Sequence, residues 1–587
     1  MCGIIGYTGH DQALPVLLAG LATLEYRGYD SAGVVVATSG DGRLEVVKRA
    51  GKLSNLVAAV RGRQLTGTSG LGHTRWATHG EPTDSNAHPH TDASGDLAVI
   101  HNGIFENYAR LKAELVEAGH DFTSDTDTEV VAHLIGALRE EHGGDLAAAL
   151  RAALRRVHGA FALAVIDRHD PTTIVAARRE APLILGHGDG ANLLASDVAG
   201  VIAHTRDITA LLDDQVAVLT PGGLTVTDLD GNPAEGHRYT VDWDVSAAEK
   251  QGYTHFMLKE IHEQPRAVAE TLMGRLDDQG RVILDALPGG PEAADQLRHI
   301  DKVYVVACGT SYHAGMVAKY VIEHWARIPV EVEIASEFRY RDPILTPHTL
   351  VVAVSQSGET ADTIAAAVHA RDQQAKVVSV TNVVGSSLAR EADAVLYTRA
   401  GPEIAVASTK ATTTQIVALD VLALYLAQQR RALFPDECRD HLARMAALPA
   451  LIEQVLQSEG AIAALAEEFA GARYVMFFGR HVGLPIALIE EGGPVVALAT
   501  RGHVRGKVVN NIKQVKGRGA VVLAIATEGD TEIKEHADHV LYVPEVHELL
   551  YPILTVVPLQ LLSYFIAVAL GRDIDQPRNL AKTVTVE

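Results

Sequence analysis

The sequence predicts an α+β domain of stacked sheets, followed by two α/β domains with doubly wound parallel sheets. Three observations predict this order. The first 240 residues or so contain β-branched runs bounded by turn residues, with short helices between them. After Thr240, apolar strands and helices alternate, which is typical of parallel sheets. Within this second part a strand–turn–helix plan occurs twice, which indicates two related halves.

The first domain is predicted to span residues 1–240. Its strands are indicated by the segments AGVVVAT, LAVIHNG, FALAVID and TIVAARR. Helices are predicted over residues 107–118 and 128–140. A polar stretch near residues 241–252 is predicted to be the linker. An amphipathic helix follows it, and the connection between the domains is predicted to end at residue 284.

The two α/β halves are predicted to span residues 285–430 and 455–587. The first opens on VYVVACGTSYHAGMVAKYVIE, and RYVMFFGRHVGLPIAL, from Arg473, is predicted to repeat its strand, turn and helix. An uncharged run over residues 549–570 has the length of a membrane span. Pro552, Pro558, Gln560 and Ser563 interrupt it, so we predict a buried core helix instead.

Composition and charge narrow the class of protein. A chain of 587 residues is long enough for roughly three to four domains, and 47% hydrophobic with 21% charged residues is ordinary for a packed globular protein. The net charge of −22 argues against broad binding to nucleic acid or to an anionic membrane. It leaves room for a small pocket that takes a phosphorylated metabolite.

The cysteines predict a location in the reducing cytoplasm. The sequence has three, Cys2, Cys308 and Cys438, too few for a disulfide framework. They form no Cys-x-x-Cys motif or Cys/His cluster with zinc spacing, so we assign no metal. The first residues also lack the basic stretch and apolar run of a signal peptide.

Cys2 is a candidate nucleophile because of its place in the chain. Removal of Met1 would leave it with a free α-amino group, whose pKa is about 7.7–8.0. That amine can serve as the general base for the thiol of its own residue, and cysteine is a strong nucleophile near neutral pH. The alternative is a chance cysteine that is inert in the first strand.

Several short motifs supply groups that would suit a nucleophilic cysteine. The guanidinium of Arg75, in GHTRWATHG, can pair with a carboxylate, and Asp127, in TDTEV, can pair with an α-ammonium group. Asn102 and Gly103, in HNGIFEN, offer amide donors to a developing oxyanion. Each of these residues alone is more often structural. The histidines of the loop could equally be solvated, and none is assigned to a metal: His79, His88 and His90.

The order of MCGIIGY, EYRGYDSAG, GHTRWATHG, HNGI and SDTDTEV resembles the glutaminase domain of the class II glutamine amidotransferases, an N-terminal-nucleophile fold. The resemblance covers residues 1–240 and implies hydrolysis of glutamine to glutamate and ammonia. By motif position it implies Cys2 as nucleophile and Asn102 with Gly103 as the oxyanion hole. It implies a glutamine-binding set in which Trp76 also lies near the start of the ammonia path: Arg75, Trp76, Thr78, His79 and Asp127.

Two small-residue loops follow strands of the first α/β half. CGTS, residues 308–311, and SQSGET, residues 355–360, each open a predicted helix. Hydroxyls and backbone N–H groups at such helix starts can bind a phosphate, although many helices are capped this way without any ligand. We find neither an SGG-x-DS loop of ATP pyrophosphatases nor an acidic pair followed by a phosphoribosyl loop.

CGTSYHA, SQSGET, PEI-VASTKA and PRNLAKTVTVE resemble the two sugar-isomerase (SIS) domains of the glutamine–fructose-6-phosphate aminotransferase family. The resemblance implies that Lys582 forms a Schiff base with the open-chain ketose, although so near the chain end it is expected to be mobile. It implies a homodimer, no metal or organic cofactor, and a sugar-phosphate site consisting of Thr310, Ser311, Ser355, Gln356, Ser357, Thr360, Val406 and Ser408.

One departure from the family affects the second half. The strand starts Tyr474 and Val495 are less than half as far apart as Val303 and Val351, which leaves barely enough chain for a crossover of about 10–12 residues. In the family this place carries the glutamate that acts as isomerisation base and the histidine that opens the sugar ring, and neither is present.

Three explanations of this departure stay open. The chain is a synthase from which an internal segment is missing, a shortened synthase with a substitute base, or a relative without synthase activity. The substitute candidates are Glu490, Glu491 and His503. The leading hypothesis is a glutamine-dependent synthase of glucosamine 6-phosphate from fructose 6-phosphate. The alternative is a glutaminase or regulatory sugar-phosphate-binding protein.

Overall fold

The structure is a computed structural model. It describes residues 2–38, 43–77, 79–241, 249–275, 277, 281–284, 296–479, 486–578 and 580–584. Thr78 and most of the predicted linker lie outside these residues.

The N-terminal part consists of two antiparallel sheets packed face to face. Along the chain its strands are β1 (Gly3–Thr8), β2 (Ser31–Ala37), β3 (Leu44–Ala50), β4 (Ser69–Arg75), β5 (His90–Thr91), β6 (Leu97–Gly103), β7 (Phe161–Asp167), β8 (Asp170–Arg179), β9 (Ile184–His187), β10 (Asn192–Ala195), β11 (Asp207–Ala210), β12 (Gln215–Thr220), β13 (Gly223–Thr227) and β14 (His237–Thr240). One sheet has the order β14-β11-β9-β10-β1-β4-β2-β3 and the other β13-β12-β8-β7-β6-β5.

Helices cover the outer faces of both sheets. They are α1 (Ala13–Leu24), α2 (Leu53–Val60), α3 (Tyr108–Glu117), α4 (Asp127–Glu141) and α5 (Leu146–Leu154). Successive side chains of a strand point to opposite faces. Ile4 therefore packs between the sheets, while Ile5 packs under α1. This explains why the short strand β1 is buried along its whole length, and the predicted stacked-sheet fold is confirmed.

Two helices, α6 (Phe256–His262) and α7 (Gln264–Leu272), lead into the first parallel sheet. Its strands are β15 (Lys302–Ala307), β16 (Val330–Ile334), β17 (Thr349–Ser355), β18 (Lys376–Thr381) and β19 (Ala394–Tyr397). The order β16-β15-β17-β18-β19 is parallel throughout. Its helices are α8 (Gly309–Trp325), α9 (Ala335–Arg341), α10 (Ala361–Asp372), α11 (Ser387–Glu391) and α12 (Lys410–Arg430).

The last part begins with three helices, α13 (Pro435–Ala446), α14 (Leu448–Leu456) and α15 (Glu459–Phe469). A second parallel sheet follows, in the order β20 (Met476–Phe478), β21 (Pro494–Ala499), β22 (Val521–Thr527) and β23 (His539–Val543). Its helices are α16 (Arg505–Lys516) and α17 (Tyr551–Ala569). One apolar core runs through both α/β halves and includes Val305, Leu422, Val496 and Leu561.

The second half repeats the plan of the first only in part. Between β15 and β17 the chain forms α8, β16 and α9, whereas the described residues between β20 and β21 form one 3-10 turn, Ile486–Leu488. The predicted helix after β20 is therefore not found among the described residues. In that part of the chain β20 is an edge strand, while its counterpart β15 has a neighbour on each side.

The segment Glu548–Ala569 is long and apolar enough to cross a membrane by length and composition, with a mean hydropathy of 1.9. Its helix, α17, packs against α6, α14 and α15 and buries ten of its side chains, including Ile553, Leu554 and Leu561. The prediction of a core helix agrees with this packing.

Candidate active sites

Most of the residues that the sequence predicted for glutamine chemistry line one pocket. The pocket is partly open, and its space of about 250 Å³ includes some open solvent. The residues that line it are Cys2, Arg75, Trp76, His79, His88, His101, Gly103, Asp127 and Thr128. The strand ends of β1, β4 and β6 and the start of α4 position them, so both sheets contribute to the pocket.

Cys2 lies directly before β1, beside the end of β4. Gly3 pairs with Thr74, which sets Cys2 against the chain as it leaves β4 at Trp76. The backbone N–H of Trp76 donates to Cys2 Sγ at 3.2 Å, and the thiol lies 3.5 Å from the carbonyl oxygen of Trp76.

Asn102 and Gly103 end strand β6 on the opposite sheet. The Asn102 Nδ2 amide donates to the carbonyl oxygen of Cys2 at 2.9 Å, so the amide lies next to the proposed nucleophile. Gly103 has a φ of +132°, and a Cβ there would lie 2.1 Å from the carbonyl oxygen of Ala160. This position therefore requires glycine.

Arg75 and Asp127 bring opposite charges to the pocket wall, and both are buried. Arg75 donates to the backbone carbonyls of His79, Gly80 and Glu81, which shapes the loop after β4. Burial lowers the pKa of Arg75, partly offset by the nearby charges of Cys2 and Asp127. Asp127 begins α4, where a negative charge is favoured, and accepts a hydrogen bond from the backbone N–H of Phe105 at 2.8 Å.

The alternative that the loop histidines are solvated is excluded for two of them. His88 and His90 are 5% and 2% exposed, and burial lowers the pKa of each well below its usual value. Both are therefore neutral rings of the interior. His79 is half-buried and lies in the pocket wall.

The sequence did not single out His101 or Thr128, which also line the pocket. They contact each other through His101 Nδ1 and Thr128 Oγ1 at 3.0 Å. His101 directly precedes Asn102 in HNGI, and this adjacency was the one feature of the sequence that could have indicated His101 as a pocket residue.

The two phosphate-loop motifs lie side by side at one edge of the first parallel sheet. CGTS follows β15 and SQSGET follows β17, and these strands are neighbours. The chain leaves β15 toward β16 on one side and returns to β17 on the other. Such a reversal is the usual ligand site of a doubly wound sheet.

The SQSGET loop is a tight turn. Ser355 Oγ accepts from the Gly358 N–H at 3.1 Å and contacts Thr360 Oγ1 at 2.9 Å. Gly358 has a φ of +64°, and a Cβ there would lie 2.1 Å from Ser386 Oγ. The loop therefore has a defined shape, with Gln356 and Ser357 between these two anchors. On the neighbouring loop Thr310 is exposed and Ser311 is buried.

The expectation of a mobile Lys582 is wrong in this structure, because the side chain is 4% exposed. Its Nζ forms a very short ion pair with Glu403 and donates to the Ala405 carbonyl oxygen at 2.8 Å. Ser408 also donates to Glu403, at 2.9 Å. Lys582 is thereby held beside the segment that contains Val406 and Ser408.

Glu403 is a candidate site residue that the sequence reasoning missed, although it lies in the PEI-VASTKA motif. Burial alone would raise its pKa, but the Lys582 ammonium and the N–H groups of Thr409 and Ala411 outweigh burial and lower it. The nearby Glu260 is also buried. Burial and the charge of Glu403 raise the pKa of Glu260. Glu403 is therefore the ionised partner of Lys582.

The three candidates for a substitute base are not hydrogen-bonded to Lys582. Glu490 and Glu491 precede β21 and therefore lie at the amino edge of the second sheet, opposite to the edge where ligands bind. His503 follows β21 at the carboxyl edge, is largely exposed, and pairs with Glu548 at 2.6 Å. Among the described residues, both hydrogen-bond partners of Lys582 belong to the first half.

Tyr29 connects the two candidate sites. Its ring meets Trp76 edge to face, with centroids 5.5 Å apart. Its hydroxyl donates to the carbonyl oxygens of Pro577 and Leu580 at 2.9 and 3.0 Å. Tyr29 therefore contacts both Trp76, which lines the first pocket, and the carboxyl-terminal segment that contains Lys582.

The fold and the two candidate sites indicate that the chain combines two kinds of domain, one with stacked antiparallel sheets and one with parallel sheets. Residues 73–203 match the glutamine amidotransferase domain, and residues 296–425 and 474–570 match the SIS domain. A solved structure, the C-terminal domain of glucosamine-fructose-6-phosphate aminotransferase from Francisella tularensis, is 35% identical with a TM-score of 0.52. It covers 56% of this chain and 100% of its own.

The full chain has close curated relatives. Proteins named glutamine–fructose-6-phosphate aminotransferase [isomerizing] from Mycolicibacterium paratuberculosis and Streptomyces coelicolor are each 51% identical, and each match covers 100% of both chains. This chain belongs to the glutamine–fructose-6-phosphate aminotransferase (isomerizing) family. The first alignment runs over 631 residues against 587 in this chain. These relatives therefore contain residues that have no counterpart in this chain.

Proposed function

We propose that this protein is an enzyme that converts glutamine and fructose 6-phosphate into glutamate and glucosamine 6-phosphate. The observation that carries the proposal is the contact of Tyr29 with both Trp76 and the segment that holds Lys582. It joins a cysteine pocket suited to glutamine with a lysine suited to a ketose. Ammonia released at one site would then have a short protected path to the other.

In the glutaminase half, Cys2 Sγ attacks the amide carbon of glutamine. The thiol proton passes to the α-amine of Cys2, which is free once Met1 is removed. The carbonyl oxygen becomes an oxyanion, which Asn102 Nδ2–H and the Gly103 N–H stabilise. The C–N bond then breaks, ammonia leaves with the proton from the amine, and water hydrolyses the thioester to glutamate.

The pocket charges orient glutamine for this attack. Arg75 binds the α-carboxylate and Asp127 the α-ammonium, so the two ends of the substrate's amino-acid group meet opposite charges. Trp76, Thr78 and His79 complete the binding set. Trp76 also begins the ammonia path, and its contact with Tyr29 supports that role.

In the sugar half, the phosphate binds to Ser355, Gln356, Ser357 and Thr360, at the start of α10. Thr310, Ser311, Val406 and Ser408 contact the sugar. Lys582 Nζ first gives a proton to Glu403 and then adds, as a neutral amine, to carbon 2 of the open-chain ketose. Glu403 returns the proton to the departing hydroxyl, so water leaves and an iminium forms. Glu403, already the ion partner of Lys582, balances the charge of this cation.

Ammonia then adds to carbon 2 and displaces the lysine. A proton moves from carbon 1 to carbon 2, which gives the amino aldose. The segment that carries the base for this step in the family lies in the connection that is shortened here. The sequence identity of 51% to the two named aminotransferases over the whole chain favours a synthase over a purely regulatory protein.

We also propose the setting of the enzyme. Its domains are the glutaminase at residues 1–240, a connection at 241–284, and SIS domains at 285–430 and 455–587. It works in the cytoplasm as a homodimer, without binding nucleic acid or membrane. The sugar carbonyl itself is the electrophile, so the reaction needs no metal or organic cofactor.

The test follows both products from the same purified protein. Wild type should form glutamate and glucosamine 6-phosphate in equal amounts. Cys2→Ala should abolish both, because the ammonia comes from Cys2 chemistry. Lys582→Ala should release glutamate without amino sugar. Lys516→Ala, which removes a surface lysine paired with Asp538, should leave both products unchanged.

One result would reject the proposal. Folded wild type that binds fructose 6-phosphate and releases glutamate, yet forms no amino sugar, is the behaviour of the regulatory alternative. An intact mass matching the printed sequence without Met1 would make that result final, because it excludes a missing internal segment.

A further inference from the structure

We propose that His73 is a positioning residue of the glutaminase: its Nε2–H holds the side-chain amide of Asn102 so that Nδ2 faces the oxyanion. The inference rests on the proposed glutaminase function. His73 lies in β4 of one sheet and Asn102 in β6 of the other, so this contact crosses the interface between the sheets.

Two backbone carbonyls fix the hydrogen-bond directions. The carbonyl oxygen of Cys2 can only accept, so the Asn102 atom at 2.9 Å from it must be Nδ2. The carbonyl oxygen of His101 can also only accept, so His73 Nε2, at 2.9 Å from it, must carry the hydrogen. Asn102 Oδ1 then accepts from the same Nε2–H at 3.0 Å.

The alternative orientation of the Asn102 amide is therefore disfavoured. After a flip, Nδ2–H would face the Nε2–H of His73, and Oδ1 would face the carbonyl oxygen of Cys2. Both contacts would be repulsive. In the observed orientation one Nδ2 hydrogen binds Cys2 and the second stays available for the oxyanion.

The surroundings keep His73 in this single form. The ring is 0% exposed, and burial lowers the pKa to about 3, so it is neutral at physiological pH. It stacks on His88, with ring centroids 4.2 Å apart. Nδ1 has no hydrogen-bond partner among the described residues, which is consistent with the Nε2–H tautomer.

His73 acts through Asn102 and not on the substrate. Gly103 and Asp127 line the glutamine pocket, whereas His73 is not among its lining residues and lies in the interface between the sheets. A positioning role predicts that removing the Nε2–H lowers kcat while the KM for glutamine stays nearly constant. General damage to the pocket would raise KM as well.

The test compares His73→Leu, which removes the donor, with His73→Gln, whose terminal amide can place a donor where Nε2 lies. We expect kcat for glutamate release to fall about 10- to 100-fold in H73L, less than the loss of an oxyanion donor itself. H73Q should recover most of this loss.

Each substitution is repeated with Asn102→Ala. If His73 acts through Asn102, adding H73L to N102A should change kcat less than about twofold. An undiminished effect of H73L in the N102A protein would overturn the proposal, and so would full kcat in H73L alone.

A measurement on wild type avoids the risk that H73L does not fold. In protein labelled with ¹⁵N-histidine, the proposal requires that NMR finds the hydrogen of His73 on Nε2. A hydrogen on Nδ1 would overturn it. Wild type without glutaminase activity would instead reject the proposed function, and the tautomer result would still stand.

Discussion

At the scale of single residues, the glutaminase pocket shows how much of a site short sequence motifs can predict. Cys2, Arg75, Asn102, Gly103 and Asp127 were predicted because each brings a defined chemistry in a distinctive segment. In the structure four of them line one pocket, and Asn102 is hydrogen-bonded to the carbonyl oxygen of Cys2 beside it. Their catalytic roles stay predictions until variants are assayed.

Gly103→Ala tests the oxyanion site at this scale. Alanine there meets an unfavourable φ, which costs about 1–2 kcal/mol, and a contact with the Ala160 carbonyl. We expect a lower melting temperature and a loss of glutaminase kcat of about 100-fold or more.

Gly119→Ala is the matched control for this substitution. Gly119 also has a positive φ, but a Cβ there would have no neighbour within 4 Å. It should lower stability slightly and leave kcat intact. Equal kcat losses in the two variants would mean that the Gly103 backbone has no special role.

Other residue positions could not be predicted from local sequence. The burial of His88 and His101 depends on two sheets whose strands are distant along the chain. Lys582 was expected to be mobile because nothing near it suggests an anchor, yet its partner Glu403 lies 179 residues earlier. Such pairs are determined by tertiary packing, which local motifs do not encode.

At the scale of elements, the alternation of strands and helices predicted both parallel sheets. At β20 the similarity to the first half suggested a following helix, most of which lies outside the described residues. The spacing from Tyr474 to Val495 did reveal the shortened connection, because a parallel pair needs a crossover of a minimum length. The alternation of strands and helices indicated the type of fold. The number of residues between the strands indicated that the second half has a shortened connection.

Hydrogen exchange tests the consequence for β20. Its three residues pair only with β21 among the described strands, whereas β22 pairs on both sides. We expect amides of residues 476–478 to exchange about tenfold faster or more than those of β22, because edge pairing opens locally. Mass spectrometry of the two peptides measures this difference.

The other edge strand, β23, is the internal comparison because it is longer, with five residues. It should exchange at an intermediate rate. Protection of β20 equal to that of β22 would contradict the expectation and would show that another strand or subunit covers this edge.

At the scale of the whole molecule, the sequence predicted the order of the three folded parts. It did not predict the single core that joins the two α/β halves, since that core depends on how α12 and α17 pack between them. The predicted domain boundaries stay predictions, and part of the linker lies outside the described residues.

Tyr29→Phe tests whether the two sites work together. It removes the one hydroxyl hydrogen that Tyr29 shares between two carbonyl oxygens of the carboxyl-terminal segment, worth about 1 kcal/mol, and keeps the ring on Trp76. We expect glutamate release to exceed amino-sugar formation, so that their ratio rises above one. Simultaneous assay of both products gives the ratio.

Tyr542→Phe is the control for this variant. Tyr542 donates to the Asp530 carbonyl within the second SIS region and makes no contact with Trp76 that the structure records. Its product ratio should equal that of wild type. An unchanged ratio in Y29F would mean that coupling between the two sites does not depend on this shared hydrogen bond.

The carboxyl-terminal segment also has a genetic consequence. Tyr29 holds it at Pro577 and Leu580, and Glu403 holds it at Lys582. A nonsense mutation between these codons would remove the sugar chemistry and leave the whole glutaminase encoded. The cell would then make a protein that consumes glutamine without a useful product, so such an allele would be more harmful than a deletion of the gene.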